Sequence, residues 1–319
     1  MPISSILFIC LLFFGSFISI SASSWFGAWI GLELNLLSFI PLMINKKNYK
    51  SSETAIKYFL IQAMASTIII FSSSFLMFYY FSIPILAALT LKMGAAPLHF
   101  WFPQIMEGLL WPQVLIMLTI QKLAPMMLMS YLMNYNLLLL IILFSAVFGA
   151  MGTLKYSSLR KILAYSSINH MSWMLASIYI NDLMWLIYFI FYSIISVSMT
   201  LMFMYMNTFS LFSINMFNTK SFLLPVNILS LSGLPPFMGF IPKWMMIQTL
   251  YNYNMIFIII ILLSMSLIIT YVYMQIVIYF ILYKPTTPYK MIEMKSNTLY
   301  TITFINSSCM ILPLIFYLN

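Results

Sequence analysis

Four charged residues lie deep inside stretches that are otherwise almost wholly apolar: Glu33, Lys92, Lys122 and Lys243. An ionised side chain at mid-bilayer costs roughly 3 kcal/mol or more, so such groups are rare unless they pair, face a water-filled cavity, or carry ions or protons. Removal from water disfavours the charged form of lysine, and a buried lysine can therefore exchange a proton near neutral pH. These residues predict a proton or ion pathway.

Each of these charges also has a structural interpretation. Glu33 could be satisfied by a neighbouring amide, such as that of Asn35. Lys92 and Lys122 are predicted near mid-depth, but a lysine can extend its ammonium toward the membrane surface. That interpretation is strongest for Lys243, which directly follows a proline.

Two histidines and two serines are candidate relay residues: His99, His170, Ser166 and Ser167. Histidine titrates in the physiological range. Alone, either histidine is typical of a hydrogen-bonded interior side chain; with buried lysines in the same bundle, a relay role becomes an equal alternative. The histidines are too few for a metal site, and no sequence motif typical of a haem, flavin or iron–sulfur site is present.

The composition places these residues in an all-α, polytopic membrane protein. The chain is 63% hydrophobic and 6% charged, whereas a soluble domain has about 25% charged residues. Apolar runs of about 20 residues follow one another, which favours helices over the alternating strands of a membrane barrel. The net charge of +9 resides mainly in short loops, which does not indicate nucleic-acid binding. Residues 1–319 are predicted to form a single membrane domain.

Eleven transmembrane spans are predicted from these runs. They cover residues 3–21, 25–44, 54–80, 83–102, 111–132, 136–154, 158–180, 182–206, 220–252, 254–283 and 298–317. The fourth and ninth are interrupted by proline and glycine, within 91–103 and 232–244. In lipid, a broken helix must have its freed carbonyls satisfied by protein or water, so these spans are predicted to line cavities. Ordinary proline kinks are the alternative.

The broken spans occupy matching positions, each the fourth of five. Such a pair is expected of an internal repeat, and an odd number of helices per unit makes the repeat inverted. The sequence therefore predicts a first five-helix repeat at 1–135, a second at 136–284, and a loop and final helix at 285–319.

The basic residues of the loops predict an orientation. Eleven lie on the side of Met1, and none lies on the other side: Lys46, Lys47, Lys50, Lys57, Lys155, Arg160, Lys161, Lys220, Lys284, Lys290 and Lys295. By the positive-inside rule, the side of Met1 corresponds to the cytoplasm, or to the matrix in a mitochondrion. Glu107 is predicted to be a solvated loop acid, and Trp25, Trp29, Trp101 and Trp111 to be interfacial anchors.

Six segments, in order, resemble one known family: 29–35, 53–60, 92–103, 121–125, 159–168 and 233–244. They are similar to subunit 2 of mitochondrial NADH–ubiquinone oxidoreductase, respiratory complex I, an antiporter-like family. The bias toward residues with AT-rich codons resembles an insect or other arthropod version. Two departures stand out: Ile120 where the family often has Trp, and Asn169 where a small residue is usual.

The resemblance implies a core membrane subunit that contributes to proton translocation coupled to NADH oxidation and ubiquinone reduction. Glu33 would pair with Lys92, and Lys122 and Lys243 would extend a hydrated polar chain. NADH, flavin, iron–sulfur clusters and ubiquinone would be handled by other subunits, with no cofactor in this chain.

The resemblance also implies where the protein resides. It would lie in the mitochondrial inner membrane with its N-terminus in the matrix and its C-terminus in the intermembrane space. Its partners would be neighbouring antiporter-like and small membrane subunits and lipids. Two other functions remain open: a stand-alone cation/proton antiporter, which would migrate as a free protein in native electrophoresis, and a purely structural membrane subunit, which would tolerate apolar replacement of its buried charges.

Overall fold

The fold was analysed in a computed structural model, which describes residues 3–45, 49–75, 82–132, 134–180, 183–206, 208–211, 223–235 and 237–282. Within these ranges the regular structure is helical. The helices are α1 (Ile3–Ser21), α2 (Trp25–Met43), α3 (Tyr49–Ser74), α4 (Ser82–Met93), α5 (Trp101–Gly108), α6 (Trp111–Leu118), α7 (Ile120–Ser130), α8 (Tyr135–Lys155), α9 (Leu159–Ile180), α10 (Met184–Met206), α11 (Leu223–Ser232), α12 (Phe240–Asn252) and α13 (Ile256–Leu282).

Six stretches of the described chain are long and apolar enough to cross a membrane. They are Trp25–Met43, Tyr49–Ser74, Trp111–Ser130, Tyr135–Lys155, Met184–Met206 and Ile256–Phe280. Shorter apolar helices accompany them, so the all-α, multi-pass class is confirmed. The count of eleven spans and the inverted repeat stay predictions. The predicted final span, 298–317, lies outside the described residues, as do six of the eleven loop lysines and arginines used for the orientation.

Helix α4 and helix α11 end where the prolines and glycines of the fourth and ninth spans predict a break. Each is followed directly by a glycine with a positive φ, Gly94 at 73° and Gly233 at 76°. A side chain strains this left-handed conformation, whereas glycine adopts it freely and commonly ends helices in this way. The next helix begins seven residues after each glycine, at Trp101 and at Phe240. Pro236 lies outside the described residues.

A further interruption, which the sequence analysis did not predict, divides the fifth span at Thr119. Helix α6 ends before this residue and α7 begins after it, and Thr119 has φ −114° and ψ −83°. The interruption lies one turn before Lys122.

The chain divides into two compact units, Met1–Ile141 and Ile142–Asn319. In the first unit, α1 and α2 are in close contact, because a Cβ on Gly31 would lie 2.5 Å from the backbone nitrogen of Ser19. Small residues allow this approach between membrane helices. In the second unit, α9 is buried on all sides between Ile162 and Ile178, which makes it the core helix there.

Two details of the sequence interpretation were wrong. Glu107 is exposed, but it lies within α5 rather than in a loop, since the helix continues to Gly108. Trp101 and Trp111 are 7% and 3% exposed, so they pack inside the protein rather than anchor it at the membrane surface. Tryptophan position along a span does not reveal whether the ring faces lipid or a neighbouring helix.

Candidate functional site

Lys92 lies at the end of the first broken helix. Its side chain is 6% exposed, and the helix end around it is capped by side chains from elsewhere in the first unit. The Lys92 carbonyl accepts a 3.2 Å hydrogen bond from Gln62 Nε2, and the Leu91 carbonyl accepts a 3.0 Å bond from Trp101 Nε1. These donors satisfy carbonyls that the break removes from the helical pattern.

Glu33 is half-buried on α2 and acts electrostatically on both Lys92 and Tyr58. Among the described residues, however, no direct ion pair joins Glu33 to Lys92. The ion pair found in the described part of the chain is an exposed one on α3, between Lys57 and Glu53, at 2.5 Å. The Asn35 oxygen is engaged by Gln121. The structure therefore places Glu33 and Lys92 as neighbouring charges without direct contact.

Lys122 is 1% exposed, and its ammonium lies 5.3 Å from the centre of the Phe102 ring. The face of an aromatic ring attracts a cation, and the attraction grows when water is removed. Phe102 also packs against Gly94, where a Cβ would come within 2.9 Å of the Phe102 side chain. The break in α4 and the position of Lys122 are thus connected through one aromatic ring.

Lys243 occupies the second broken span, in the first turn of α12, and is 7% exposed. Its ammonium donates a 2.7 Å hydrogen bond to the carbonyl of Ser232, the last residue of α11. A cation at a helix C-terminus interacts favourably with the helix dipole. Extension of Lys243 to the membrane surface is therefore not what the structure shows, because the ammonium is directed to the buried break.

The candidate relay residues His170, Ser166 and Ser167 lie together on α9 in the second unit. His170 Nδ1 is 3.0 Å from the Tyr188 hydroxyl, and its ring contacts that of Tyr192 at 5.1 Å between centroids. The side chain of Tyr192 lies near Ser167, and that of Tyr273 of α13 lies near Ser166. The two serine hydroxyls donate to the backbone carbonyls of Ala164 and Leu163. Sequence reasoning missed these tyrosines, because no local pattern distinguishes them from other aromatic residues of the spans.

The helix α9 also buries polar atoms next to this cluster. Asn169 Oδ1 and Trp173 Nε1, one turn apart, have no hydrogen-bond partner within the described parts of the chain. Buried polar atoms are ordinarily satisfied by protein or ordered water, so this part of α9 is suited to hydration. Asn169 packs against α8, where a Cβ on Gly149 would lie 2.7 Å from its backbone nitrogen.

His99 stands apart from that cluster, in the non-helical segment that follows α4. It is 2% exposed, its Nδ1 lies 3.3 Å from the Pro97 carbonyl, and its ring stacks on Phe100. Within the described residues, no group of three potential metal ligands occurs. The first unit thus contains Glu33, Lys92, Lys122 and His99, and the second contains Lys243 and the α9 cluster.

Buried lysines at broken apolar helices define a class: a multi-pass helical membrane protein built like an ion-translocating antiporter. Similarity to known proteins supports the same class. The family described as "NADH:quinone oxidoreductase/Mrp antiporter, TM" matches residues 22–83 and 73–270. The chain is 47% identical to NADH-ubiquinone oxidoreductase chain 2 of Anopheles gambiae over 86% of this chain and 85% of that one. The corresponding protein of Aedes aegypti is 44% identical over 95% and 94%.

A solved structure shares the fold. Respiratory complex I from Thermus thermophilus with bound Aureothin contains a chain with a TM-score of 0.88 and 22% identity, over 97% of this chain and 78% of that one. The chain belongs to the NADH–ubiquinone oxidoreductase chain 2 family. The predicted resemblance, including its insect character, is confirmed.

Proposed function

We propose that this protein is an antiporter-like membrane subunit of respiratory complex I, and that its buried lysines carry protons during NADH oxidation and ubiquinone reduction. The observation that carries the proposal is the burial of three lysines, Lys92, Lys122 and Lys243, in or beside interrupted apolar helices of a chain in this family. A buried charge is costly at that depth, which favours a functional role for these lysines.

In the first unit, Glu33 and Lys92 form the part that responds to a change in charge. Quinone reduction elsewhere in the complex alters the charge or hydration around this pair. The field of an ionised Glu33 favours the ammonium form of Lys92, and separation of the two charges favours release of a proton. Because the two side chains are neighbours without direct contact, small movements of α2 or α4 change their interaction.

Lys122 takes part as a carrier in the same unit. Its ammonium faces the aromatic ring of Phe102, which stabilises the charged form of the lysine. His99 is a candidate partner for proton exchange in this unit. Its hydrogen bond to the Pro97 carbonyl fixes the orientation of its ring.

In the second unit, Lys243 is the carrier, and His170, Ser166 and Ser167 are the candidate relay. The support is that His170 contacts Tyr188 and Tyr192, and that the buried Ser166 and Ser167 lie near Tyr273 and Tyr192 on the same helix. Hydroxyl and imidazole groups both donate and accept hydrogen bonds, so such a cluster can pass a proton through rearranged bonds.

The wider assignment follows from membership of the family. The proposal places the chain in the mitochondrial inner membrane, with its N-terminus in the matrix, beside other antiporter-like and small membrane subunits and lipids. NADH, flavin, iron–sulfur clusters and ubiquinone belong to partner subunits. The eleven spans and the inverted five-helix repeat also belong to the proposal, supported by the two breaks with their matching glycines.

Replacement of Lys122 by methionine tests the central assignment. Methionine keeps much of the apolar stem and removes the titratable group. NADH-driven proton translocation is measured in proteoliposomes that contain equal amounts of assembled complex. Lys57→Met is the matched control, because Lys57 is 46% exposed and its pairing with Glu53 is a surface contact of low energetic value.

If Lys122 carries protons, the Lys122→Met complex loses proton translocation while its redox module still accepts electrons from NADH, and the control retains both activities. A structural role of Lys122 predicts failed assembly instead. Normal proton rate and stoichiometry in assembled Lys122→Met complex would exclude the lysine as an obligatory carrier.

A further inference from the structure

Three side chains on three helices of the first unit form a hydrogen-bonded chain. The Tyr58 hydroxyl of α3 donates a 3.1 Å bond to Gln121 Oε1 of α7. Gln121 Nε2 donates a 3.0 Å bond to Asn35 Oδ1 of α2. Tyr58 and Asn35 are 2% and 3% exposed, whereas Gln121 between them is partly exposed. The three residues, here called the tyrosine–amide chain, connect helices that also carry the proposed carriers.

One end of the tyrosine–amide chain lies at the first broken helix. The Tyr58 ring packs at 6.2 Å from the ring of Trp101, whose indole caps the α4 carbonyl at the break. One turn further along α3, Gln62 binds the carbonyl of Lys92. Tyr58 also lies within electrostatic reach of Glu33. One face of α3 therefore interacts with both members of the Glu33–Lys92 pair, through Tyr58 and Gln62.

The other end lies beside the next carrier. Gln121 directly precedes Lys122, in the turn of α7 that follows the interruption at Thr119. The Lys122 amide bonds to the Thr119 carbonyl at 3.0 Å, so this turn is held tighter than a regular α-helical turn. A reorientation of the Gln121 side chain acts on the turn that positions Lys122.

The chemistry of the three groups allows two arrangements of the same chain. A tyrosine hydroxyl both donates and accepts, and each amide has a donor end and an acceptor end that exchange by rotation. In the arrangement described above, donors run from Tyr58 through Gln121 to Asn35. In the reverse arrangement, Asn35 donates to Gln121 and Gln121 donates to Tyr58. Both satisfy every link, so neither leaves a buried bond of the chain unmade.

We infer that Tyr58, Gln121 and Asn35 form a reversible hydrogen-bond switch that transmits the charge state of the Glu33–Lys92 pair to Lys122. The inference rests on the proposed function and assigns these three as positioning residues. An ionised, unscreened Glu33 attracts the Tyr58 hydroxyl proton and favours the reverse arrangement. When the Lys92 ammonium compensates that charge, the arrangement described above is favoured. The switch carries no proton; it changes the dipoles beside the lysine that does.

The test uses intact complex I that carries Tyr58→Phe, which preserves the ring and removes only the hydroxyl. Tyr205→Phe is the matched control, because Tyr205 is another buried tyrosine, which lies on α10 and is not a member of the tyrosine–amide chain. Gln121→Met is the second variant, since it keeps Tyr58 and removes both bonds. The rate of NADH-driven proton translocation is measured in proteoliposomes, together with infrared difference spectra recorded during turnover.

The switch predicts that Tyr58→Phe and Gln121→Met each lower the coupled proton rate by about 2- to 10-fold, the range that a neutral hydrogen bond supports. The double variant is no worse than either single variant, because both remove the same interaction. A tyrosine C–O band that changes during turnover is present in wild type and in Tyr205→Phe and absent in Tyr58→Phe. A merely structural hydroxyl would not produce that band.

Two results would overturn the inference: normal coupled rates in assembled Tyr58→Phe and Gln121→Met complexes, or the turnover-dependent band persisting in Tyr58→Phe. If Tyr58→Phe does not assemble, Gln121→Met decides by the same rate criterion and by loss of the band. Lys122→Met, measured in parallel, separates the two proposals. Loss of pumping in Lys122→Met with normal pumping in the chain variants rejects only the switch, whereas normal pumping in Lys122→Met rejects the carrier assignment itself.

Discussion

The ammonium of Lys243 lies 2.7 Å from the carbonyl oxygen of Ser232 and so closes the end of the helix that the second break leaves open. At the first break, the carbonyls at the helix end instead accept hydrogen bonds from neutral donors, Gln62 and Trp101. One interrupted span therefore has its helix end capped by a lysine ammonium, whereas the other has neutral caps and carries its lysine, Lys92, within the terminating turn. The charge state of Lys243 and the geometry of the second break are coupled.

This contact allows capping and proton exchange to be separated at Lys243. Arginine retains the positive charge and several donors, but it does not release its proton in proteins. Lys243→Arg is expected to preserve assembly and to abolish proton translocation. Lys243→Met removes the cap as well, at a cost of about 1 kcal/mol for the helix end. Native electrophoresis and proteoliposome pumping measure the two effects; normal pumping by Lys243→Arg would contradict a carrier role.

Gly233→Ala is predicted to disturb the same contact from its other side. Gly233 has φ 76°, a conformation that costs a residue with a Cβ roughly 1–2 kcal/mol. The new Cβ would also lie 2.8 Å from Lys243 Nζ. We expect a lower thermal stability of the assembled complex and a reduced proton rate, because Lys243 is displaced from Ser232.

Gly27→Ala is the control for that substitution. Gly27 lies in α2, has an ordinary φ, and its new Cβ would meet the Ala22 side chain at 3.2 Å, where a shift of a few tenths of an ångström suffices. Stability and pumping are expected to stay near those of wild type. Equal behaviour of the two glycine variants would show that the Lys243 contact is unimportant.

Tyr188→Phe is predicted to weaken the α9 relay without altering its packing. The substitution removes the hydroxyl that lies 3.0 Å from His170 Nδ1 and leaves the ring in place. Loss of one such bond costs about 0.5–1.5 kcal/mol, and it frees the imidazole to change orientation. A several-fold slower coupled turnover with normal assembly is expected, against Tyr205→Phe as control. Unchanged turnover in Tyr188→Phe would argue against His170 as a relay.

The broken spans were predictable because their cause is local. Proline and glycine fall within a few residues of each break, and their backbone restrictions act on the same turn. The third interruption was not predicted, since no glycine or proline adjoins Thr119 in the sequence.

The partners of the buried charges were less predictable. Depth along a span selected Lys92, Lys122 and Lys243, because the cost of burying a charge depends on depth and the spans are visible in the sequence. The ring beneath Lys122 and the carbonyl bound by Lys243 depend on how helices are rotated against one another. That rotation is set by packing between distant segments, which a single sequence does not display. The same limit hid Tyr58, Gln121 and Trp101.

The orientation in the membrane gives the last prediction. The sequence predicts eleven lysines and arginines in or next to the loops on the side of Met1 and none on the opposite side, which predicts that Met1 lies in the matrix. An odd number of spans would then put Asn319 in the intermembrane space. A tag after Asn319 is expected to be cleaved by protease added to mitoplasts, whereas a tag before Met1 is protected until the membrane is dissolved. Protection of both tags would indicate an even number of spans, and with it the loss of the predicted final helix at 298–317.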